Sequence, residues 1–344
     1  MRHGRIAAMS PKALLSRLNI DPYIVAIVGM VGLASLMPVH GEGAVAAGHA
    51  TQAAIALLFF LHGAKLEPRT ALAGARHWRL HILVLMSTFV LFPLLGLTAR
   101  AVAPNLLPPV MWIGLLLLCV LPSTVQSSIA FTSIARGNVP AALCAATASN
   151  LLGIALTPLL AGLLLHSRGG FSADAVGDIV MQLLLPFLAG QLARPWIGDW
   201  AARNPTLLGL VDRGSILLVV FVAFSEGMTQ GIWHQVDIAS LGILLAVDAA
   251  LLAAVLGLTT FASRVLGFSR QDEIAIVFCG SKKSLASGLP MATILFAGQS
   301  AALIVLPLML FHQIQLMACA ALARRYVARA QTAAGVAQSA VRAG

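Results

Sequence analysis

Charge is scarce in this sequence. Only 10% of its 344 residues are Asp, Glu, Lys or Arg, where a soluble domain carries about a quarter. With 59% hydrophobic residues and a mean hydropathy of +0.91, that shortage excludes a soluble globular protein and points to an all-α polytopic membrane protein. Aromatic residues are also scarce, at 6%. Without stacking side chains or a basic stripe on one element, the net charge of +10 does not indicate a nucleic-acid partner. The four cysteines, Cys119, Cys144, Cys279 and Cys319, fall inside apolar segments with no metal-type spacing. They read as small buried hydrophobes, not as disulfides or ligands.

Catalytic signatures are missing as well. The histidines are scattered, and no His-Glu-x-x-His pair occurs. Gly280-Ser-Lys-Lys-Ser284 lacks the Gly-Lys-Ser/Thr ending and preceding strand of a phosphate-binding loop. Ser281-Lys282 has the residue types of a Ser-Lys dyad but no strand or oxyanion arrangement around it. An enzyme is not expected, and neither is an organic cofactor or a metal site.

What is present is a series of apolar runs. About 20 apolar residues span the hydrocarbon core of a bilayer, and ten candidates emerge. They are 22–39, 50–64, 80–102, 109–135 and 139–165, then 173–193, 206–228, 238–263, 272–297 and 301–323. Residues 1–19 read as a basic cytoplasmic lead-in, not a secretory signal, and 324–344 as a basic, Ala-rich tail expected to fray. With ten spans both termini share one side, whose loops and tails hold seventeen lysines and arginines, whereas the opposite loops hold only Arg100 and Arg168. That asymmetry places both termini in the cytoplasm, and the short tails with their Arg-over-Lys bias suggest a bacterial inner membrane. The three remaining cations, Arg213, Lys282 and Lys283, lie within spans.

The ninth span is the unusual one. Between the apolar flanks Ile274–Phe278 and Leu289–Ala297 stand two lysines, three serines and two glycines, with a proline, Pro290, just inside the second flank. Irregular polar backbone at membrane depth is tolerated only where protein buries it or a cavity solvates it, and ionisable residues there are candidates for function. The alternative is a cytoplasmic loop between two shorter helices. The fourth span is interrupted similarly, at Leu121-Pro-Ser-Thr-Val-Gln-Ser-Ser128. The second span ends Phe59-Phe-Leu-His-Gly63 and the seventh Val222-Ala-Phe-Ser-Glu-Gly227. Matching breaks predict two inverted five-helix repeats, 20–165 and 172–323, with a binding site between them.

These residues resemble the bile acid:sodium symporter family. Ala135-Arg-Gly-Asn-Val139, after a Pro-broken polar helix and before Thr147-Ala-Ser-Asn150, is similar to that family, and Phe278-Cys-Gly-Ser-Lys-Lys-Ser-Leu-Ala-Ser-Gly288 to its cotransporter-7-like branch. The resemblance covers roughly 18–325. It implies a panel of helices one, two, six and seven, a core of the other six, and crossed discontinuous helices four and nine. It also implies secondary active transport of a small organic anion by alternating access. Two departures bear on coupling. Val277 stands where sodium-coupled members place a carboxylate, and Thr88 about where they use a glutamine. Conventional sodium sites are therefore not expected, although sodium stays open as a coupling ion. A proton-coupled antiporter of the same fold and a non-transporting membrane regulator are the competing readings.

The candidate site follows from the two breaks. Lys282 and Lys283 can hydrogen-bond carbonyls freed at the helix break in the place of a sodium ion, face an anionic substrate, or exchange a proton. The structural alternative is an ion pair with Asp248 in the eighth span. Ser281 and Ser284 flank the lysines, and Thr124, Gln126, Ser127 and Ser128 supply polar groups at the opposing break. Thr147, Ser149 and Asn150 add more from the fifth span, although Ser and Thr in membrane helices often bond back to their own backbone. Thr88, Glu226, Asp248, His312 and Gln313 are secondary candidates for the cavity or for partners, and His62 matches Glu226 in position. Asp212-Arg213 reads as a self-compensating pair near the cytoplasmic end.

Overall fold

A backbone segment in hydrocarbon must satisfy its own N–H and C=O groups, so apolar runs of this length fold as helices. The computed structural model describes residues 22–65, 77–165, 180–229, 237–296 and 301–343, with Gly177 and Gly231. The lead-in 1–19 lies outside them. Among the described residues there is no strand.

In chain order the helices are α1 (Pro22–Leu36), α2 (Gly41–Lys65), α3 (Trp78–Val102), α4a (Pro109–Val120), α4b (Gln126–Ile134) and α5 (Val139–Leu165). There follow α6 (Leu185–Arg203, entered through a π-turn at Val180–Leu184), α7 (Pro205–Thr229) and α8 (Ile238–Val265). The chain ends with α9a (Arg270–Gly280), α9b (Leu285–Leu295) and α10 (Ala301–Ala343). Six of these (α2, α3, α5, α7, α8 and α10) are long and apolar enough to cross a membrane. Val28, Leu94, Leu159, Leu163, Leu192 and Leu210 are exposed on the outside, as a lipid-facing surface requires. The molecule is a multi-pass membrane protein.

Three expected boundaries change, the first being α6, which runs on to Arg203 instead of ending at residue 193. α2 begins at Gly41 instead of residue 50, because the Ala-rich lead into the apolar run favours helix. α10 extends past the expected end at 323 and continues without a break from Ala301 to Ala343, again through Ala-rich sequence.

Helices α1, α2, α6 and α7 pack on one another, and α3, α4, α5, α8, α9 and α10 form a second group, joined to the first where α7 touches α9b and α10. The α2–α6 contact is backbone to backbone. A Cβ on Gly63 would lie 2.1 Å from the Phe187 carbonyl oxygen and one on Gly190 1.9 Å from that of Phe60, so only glycine fits at either place.

Three irregularities position the site. Pro122 sits in the gap between α4a and α4b, and Ser281–Ser284 separate α9a from α9b. The third is a π-turn at Ser87–Leu91 in α3, in which the Phe92 amide bonds back to the Ser87 carbonyl. In that register the next donor, to Thr88, would come from residue 93. That residue is Pro93 and has no N–H, so the Thr88 carbonyl is released from its helix.

The turn Ala135-Arg-Gly-Asn138 pins α4b and α5 to the start of α9a. Arg136 takes a left-handed φ of 60°, and a Cβ on Gly137 would meet Ile274 Cγ2 at 2.5 Å. Asn138 caps α5 by accepting from the Ala141 amide at 3.1 Å and donates to Asp272 at 2.7 Å. Beside it Arg264 makes a two-pronged pair with Glu273, at 2.9 and 3.1 Å, and Tyr326 donates to the same carboxylate at 2.9 Å. Asp272 and Glu273 are thus occupied in holding α9a in place. At the start of α8, outside the apolar span, Asp237 accepts from the Ser240 amide at 3.0 Å, and hydrogen bonding to Ser240 holds its carboxyl below the usual range.

Candidate substrate cavity and helix crossing

The last carbonyls of a helix have no partner within it, and here two such ends are buried in protein. At the end of α9a each carbonyl receives a hydroxyl. Ser281 donates to Val277 at 2.6 Å, Ser128 to Phe278 at 3.1 Å, Ser123 to Cys279 at 2.6 Å and Ser87 to Gly280 at 2.8 Å. At the end of α4a, Thr157 donates to the Val120 carbonyl at 2.8 Å and the Ser284 amide to that of Pro122 at 2.8 Å. Asn150 donates to the Ser123 carbonyl, and the Ser123 amide donates to Ser149 Oγ at 3.0 Å. The two interrupted helices are thereby joined break to break.

Lys283 completes the arrangement. Its Nζ donates to the carbonyls of Thr88, Cys119 and Leu121 at 2.8, 2.8 and 2.7 Å, and lies 4.1 Å from the centre of the Phe92 ring. An ammonium has three donors, and all three are used. The released Thr88 carbonyl and two carbonyls at the α4a break form an oxygen cradle around one fixed cation. Lys282 points elsewhere. Its Nζ has no hydrogen-bond partner among the described residues and lies 4.0 Å from the Phe131 ring centre and 5.6 Å from that of Phe278. Both lysines are fully buried.

The structural alternative, an ion pair with Asp248, is not formed. Both Asp248 carboxyl oxygens are buried without a partner among the described residues, because Lys283 is already saturated by carbonyls closer to the break. Thr88 contributes its carbonyl and not its hydroxyl, which bonds back to Val84. Asp212 and Arg213 are not a self-compensating pair either. Asp212 accepts from Gln126 Nε2 at 3.1 Å, and the Arg213 guanidinium lies 5.4 Å from the Tyr23 ring centre.

On the other side of the crossing lies a cavity of about 170 Å³. The starts of α4b (Thr124, Gln126, Ser127) and α9b (Ser284, Ser287) line it, with Asn150, His62, Asp212, Arg213 and His312. A smaller cavity of about 40 Å³ shares His62, Gln126 and Asp212 and extends toward Lys65 and Pro205. Helix N-termini carry unpaired N–H groups and partial positive charge. α9b is capped by Ser284, whose Oγ accepts from the Ser287 amide at 3.2 Å, but α4b has no side-chain cap. Two helix N-termini, an arginine, two imidazoles and the Asp212 carboxylate therefore surround one polar space.

Of the residues singled out from the sequence, Thr124, Gln126, Ser127, Asn150, Ser284 and His312 share this cavity, whereas Ser128, Ser149, Ser281 and Lys283 serve the crossing. Thr147 is half-buried on α5 with no hydrogen bond to either, and Glu226 and Gln313 do not line the cavity. Ser87, Ser123, Thr157 and Gln315 were not among the candidates. Gln315 is fully buried; its Oε1 accepts from the Lys283 amide and its Nε2 donates to the Lys283 carbonyl, both at 2.9 Å.

The chain thus combines six helices of bilayer length with two interrupted ones joined beside a polar cavity. Residues 21–328 match the model of the SBF-like CPA transporter family, and the chain belongs to that family. It is 55% identical over 317 residues to protein PA2026 of Pseudomonas aeruginosa, covering 91% of this chain and 95% of that one. It is 54% identical over 308 residues to YfeH of Escherichia coli, whose name proposes a symporter, with 89% and 93% covered. Sodium/bile acid cotransporter 7 of Xenopus tropicalis is 30% identical over 313 residues, with 88% and 91% covered. The protein is a transporter of this family and not an enzyme.

Proposed function

We propose that this protein is a secondary active transporter of a small organic anion, working by alternating access, with the Lys283 ammonium standing where a coupling sodium ion would otherwise bind. The observation that carries the reading is the pair of half-helix N-termini, α4b and α9b, lining one cavity with Arg213, His62 and His312. The volume of about 170 Å³, below the roughly 300–1,000 Å³ of drug-sized sites, favours a small carboxylate or sulfonate over a sterol-sized ligand. The reading includes ten transmembrane helices in two inverted five-helix repeats, 20–165 and 172–323. The panel is α1, α2, α6 and α7, and the core is the remaining helices, with α4 and α9 crossed. Residues 1–19 and 324–344 are cytoplasmic, and the membrane is the bacterial inner membrane.

The site in this proposal is Thr124, Gln126, Ser127, Asn150, Ser284 and His312 around the anion, with Lys283 and its carbonyls as the fixed cation beside it. Placing sodium about 4 Å from that ammonium costs roughly 4 kcal/mol at an effective dielectric of 20, more than two powers of ten in affinity. Proton coupling is the second reading, favoured by the buried Lys282 Nζ with no hydrogen-bond partner among the described residues. The deciding experiment is uptake by proteoliposomes of a panel of labelled carboxylates and sulfonates, in sodium, potassium and choline at fixed pH and across a pH gradient. Flux in choline without a pH gradient, driven by exchange for a preloaded anion, supports the first reading, and flux that needs the pH gradient supports the second. A strict sodium requirement defeats both, and absence of flux from the whole panel favours a regulator.

A further inference from the structure

Gln315 sits between the cavity and the crossing and belongs to neither set of polar groups. His312 and Gln315 are three residues apart on α10 and therefore share a helix face. Gln315 Nε2 is 2.8 Å from His312 Nδ1, and the same amide holds both the N–H and the C=O of Lys283. The Lys283 peptide fixes which way the amide points. Turned over, it would set donor against donor at the Lys283 N–H and acceptor against acceptor at the carbonyl. Nε2 therefore faces the imidazole. Its two hydrogens go to the Lys283 carbonyl and to His312 Nδ1, so Nδ1 must accept. A neutral imidazole that accepts at Nδ1 carries its proton on Nε2.

We propose that Gln315 is a positioning residue that fixes His312 as the Nε2–H tautomer and ties this cavity imidazole to the peptide beside the carbonyl-bound ammonium. A proton on Nδ1 would set two donors face to face, so His312 cannot change state there without loosening the grip on Lys283. The charged and titratable groups sharing the cavity with His312 are His62 on α2, Asp212 and Arg213 on α7, and Tyr23 on α1; Lys283 on α9 is reached through the amide. One consequence rests on the transport reading: the contact of this cavity imidazole with the crossing gives a route from cavity occupancy to the α9 break.

The test is the nitrogen-15 spectrum of the full-length protein in detergent, labelled at histidine, at fixed pH. The His312 signals are those lost in His312→Gln. In the parent, Nδ1 is expected to carry no proton and Nε2 one. In Gln315→Glu a carboxylate oxygen faces Nδ1, and the proton is expected to move there, with loss of the Nε2–H-only pattern. A parent spectrum with Nδ1 protonated overturns the proposal, as does a folded Gln315→Glu protein whose His312 signals are unchanged. If Gln315→Glu does not fold, Gln315→Met removes the donor, and a mixture of tautomers is expected. An unchanged pattern there counts against the proposal, and the parent spectrum decides in any case. The measurement needs no substrate, so its failure would leave the transport reading standing.

Discussion

Lys283 Nζ lies 2.8 Å from the carbonyl oxygen of Thr88, 195 residues earlier in the chain. That contact exists because a π-turn and Pro93 together leave Thr88 without its helical donor. With the Cys119 and Leu121 carbonyls it makes a site for one small cation, filled by a side chain. Removing the ammonium leaves three buried acceptors, each costing about 1–3 kcal/mol if left unpaired. Lys283→Ala is therefore expected to melt several degrees lower than the parent in detergent, and to regain part of the loss in sodium but not in choline. The parent is expected to melt alike in both. A parent stabilised specifically by sodium would falsify the view that the ammonium replaces the ion.

The serine hydroxyls at the end of α9a should not be equivalent. The Val277 carbonyl receives the Ser281 amide at 3.2 Å as well as its hydroxyl. The expected amide donors to Cys279 and Gly280 are instead engaged with Gln315 and Pro122. Ser123→Ala and Ser87→Ala each strip a buried carbonyl of its donor, for about 1–3 kcal/mol, whereas Ser281→Ala leaves one bond in place. Denaturant midpoints should fall more for Ser123→Ala and Ser87→Ala than for Ser281→Ala. Equal losses would mean that the hydroxyls act only as filling.

Much of this was legible in the sequence, for physical reasons. Polar backbone in an apolar run must be buried or solvated, so Pro122 and Gly280–Ser284 marked the two breaks. Division of labour at the breaks was not legible. Lys282 and Lys283 are neighbours on irregular backbone, and nothing in their order says that one meets three carbonyls and the other two aromatic rings. Asp248 attracted an ion-pair reading because opposite charges in a membrane usually pair, but backbone oxygens closer to hand took the ammonium. The Thr88–Pro93 spacing was the signal missed: five residues ending in proline frees a carbonyl only if the helix widens into a π-turn there. Ser87 and Ser123 resemble any other membrane serine until that geometry is known.

Asn138 joins the α5 cap to Asp272 through one side chain. Asn138→Ala removes a cap worth about 1 kcal/mol together with a hydrogen bond to a charged group worth about 1.5–3 kcal/mol. Asp272→Asn should weaken only the second. A double-mutant cycle read by thermal unfolding is expected to give a coupling of about 0.5–3 kcal/mol. Additive losses would show that the turn and α9a are held by the Gly137–Ile274 packing and by the Asn138 amide donating to the Gln271 carbonyl at 3.0 Å, not by the Asn138–Asp272 side-chain bond.

Among the described residues Asp212 is the one acidic residue lining the proposed anion cavity, next to Arg213. Its Oδ2 is held by Gln126, while Oδ1 is buried without a partner among the described residues. An anion about 6 Å from that carboxylate would be opposed by roughly 3 kcal/mol at an effective dielectric of 20. Asp212→Asn removes the repulsion and leaves an amide that accepts from Gln126 through its oxygen. Arg213→Gln removes an attraction of similar size. Thermal stabilisation of the purified protein by millimolar acetate, pyruvate or methanesulfonate should therefore increase in Asp212→Asn and decrease in Arg213→Gln, with opposite signs at constant ionic strength. Sodium chloride at equal ionic strength controls for screening of exposed charges. Had the cavity been built for a cation, the two substitutions would exchange their effects, and choline or tetramethylammonium would stabilise the parent in place of the carboxylates. Loss of anion stabilisation in both variants would instead mean that Asp212 acts by orienting Gln126 at the uncapped start of α4b.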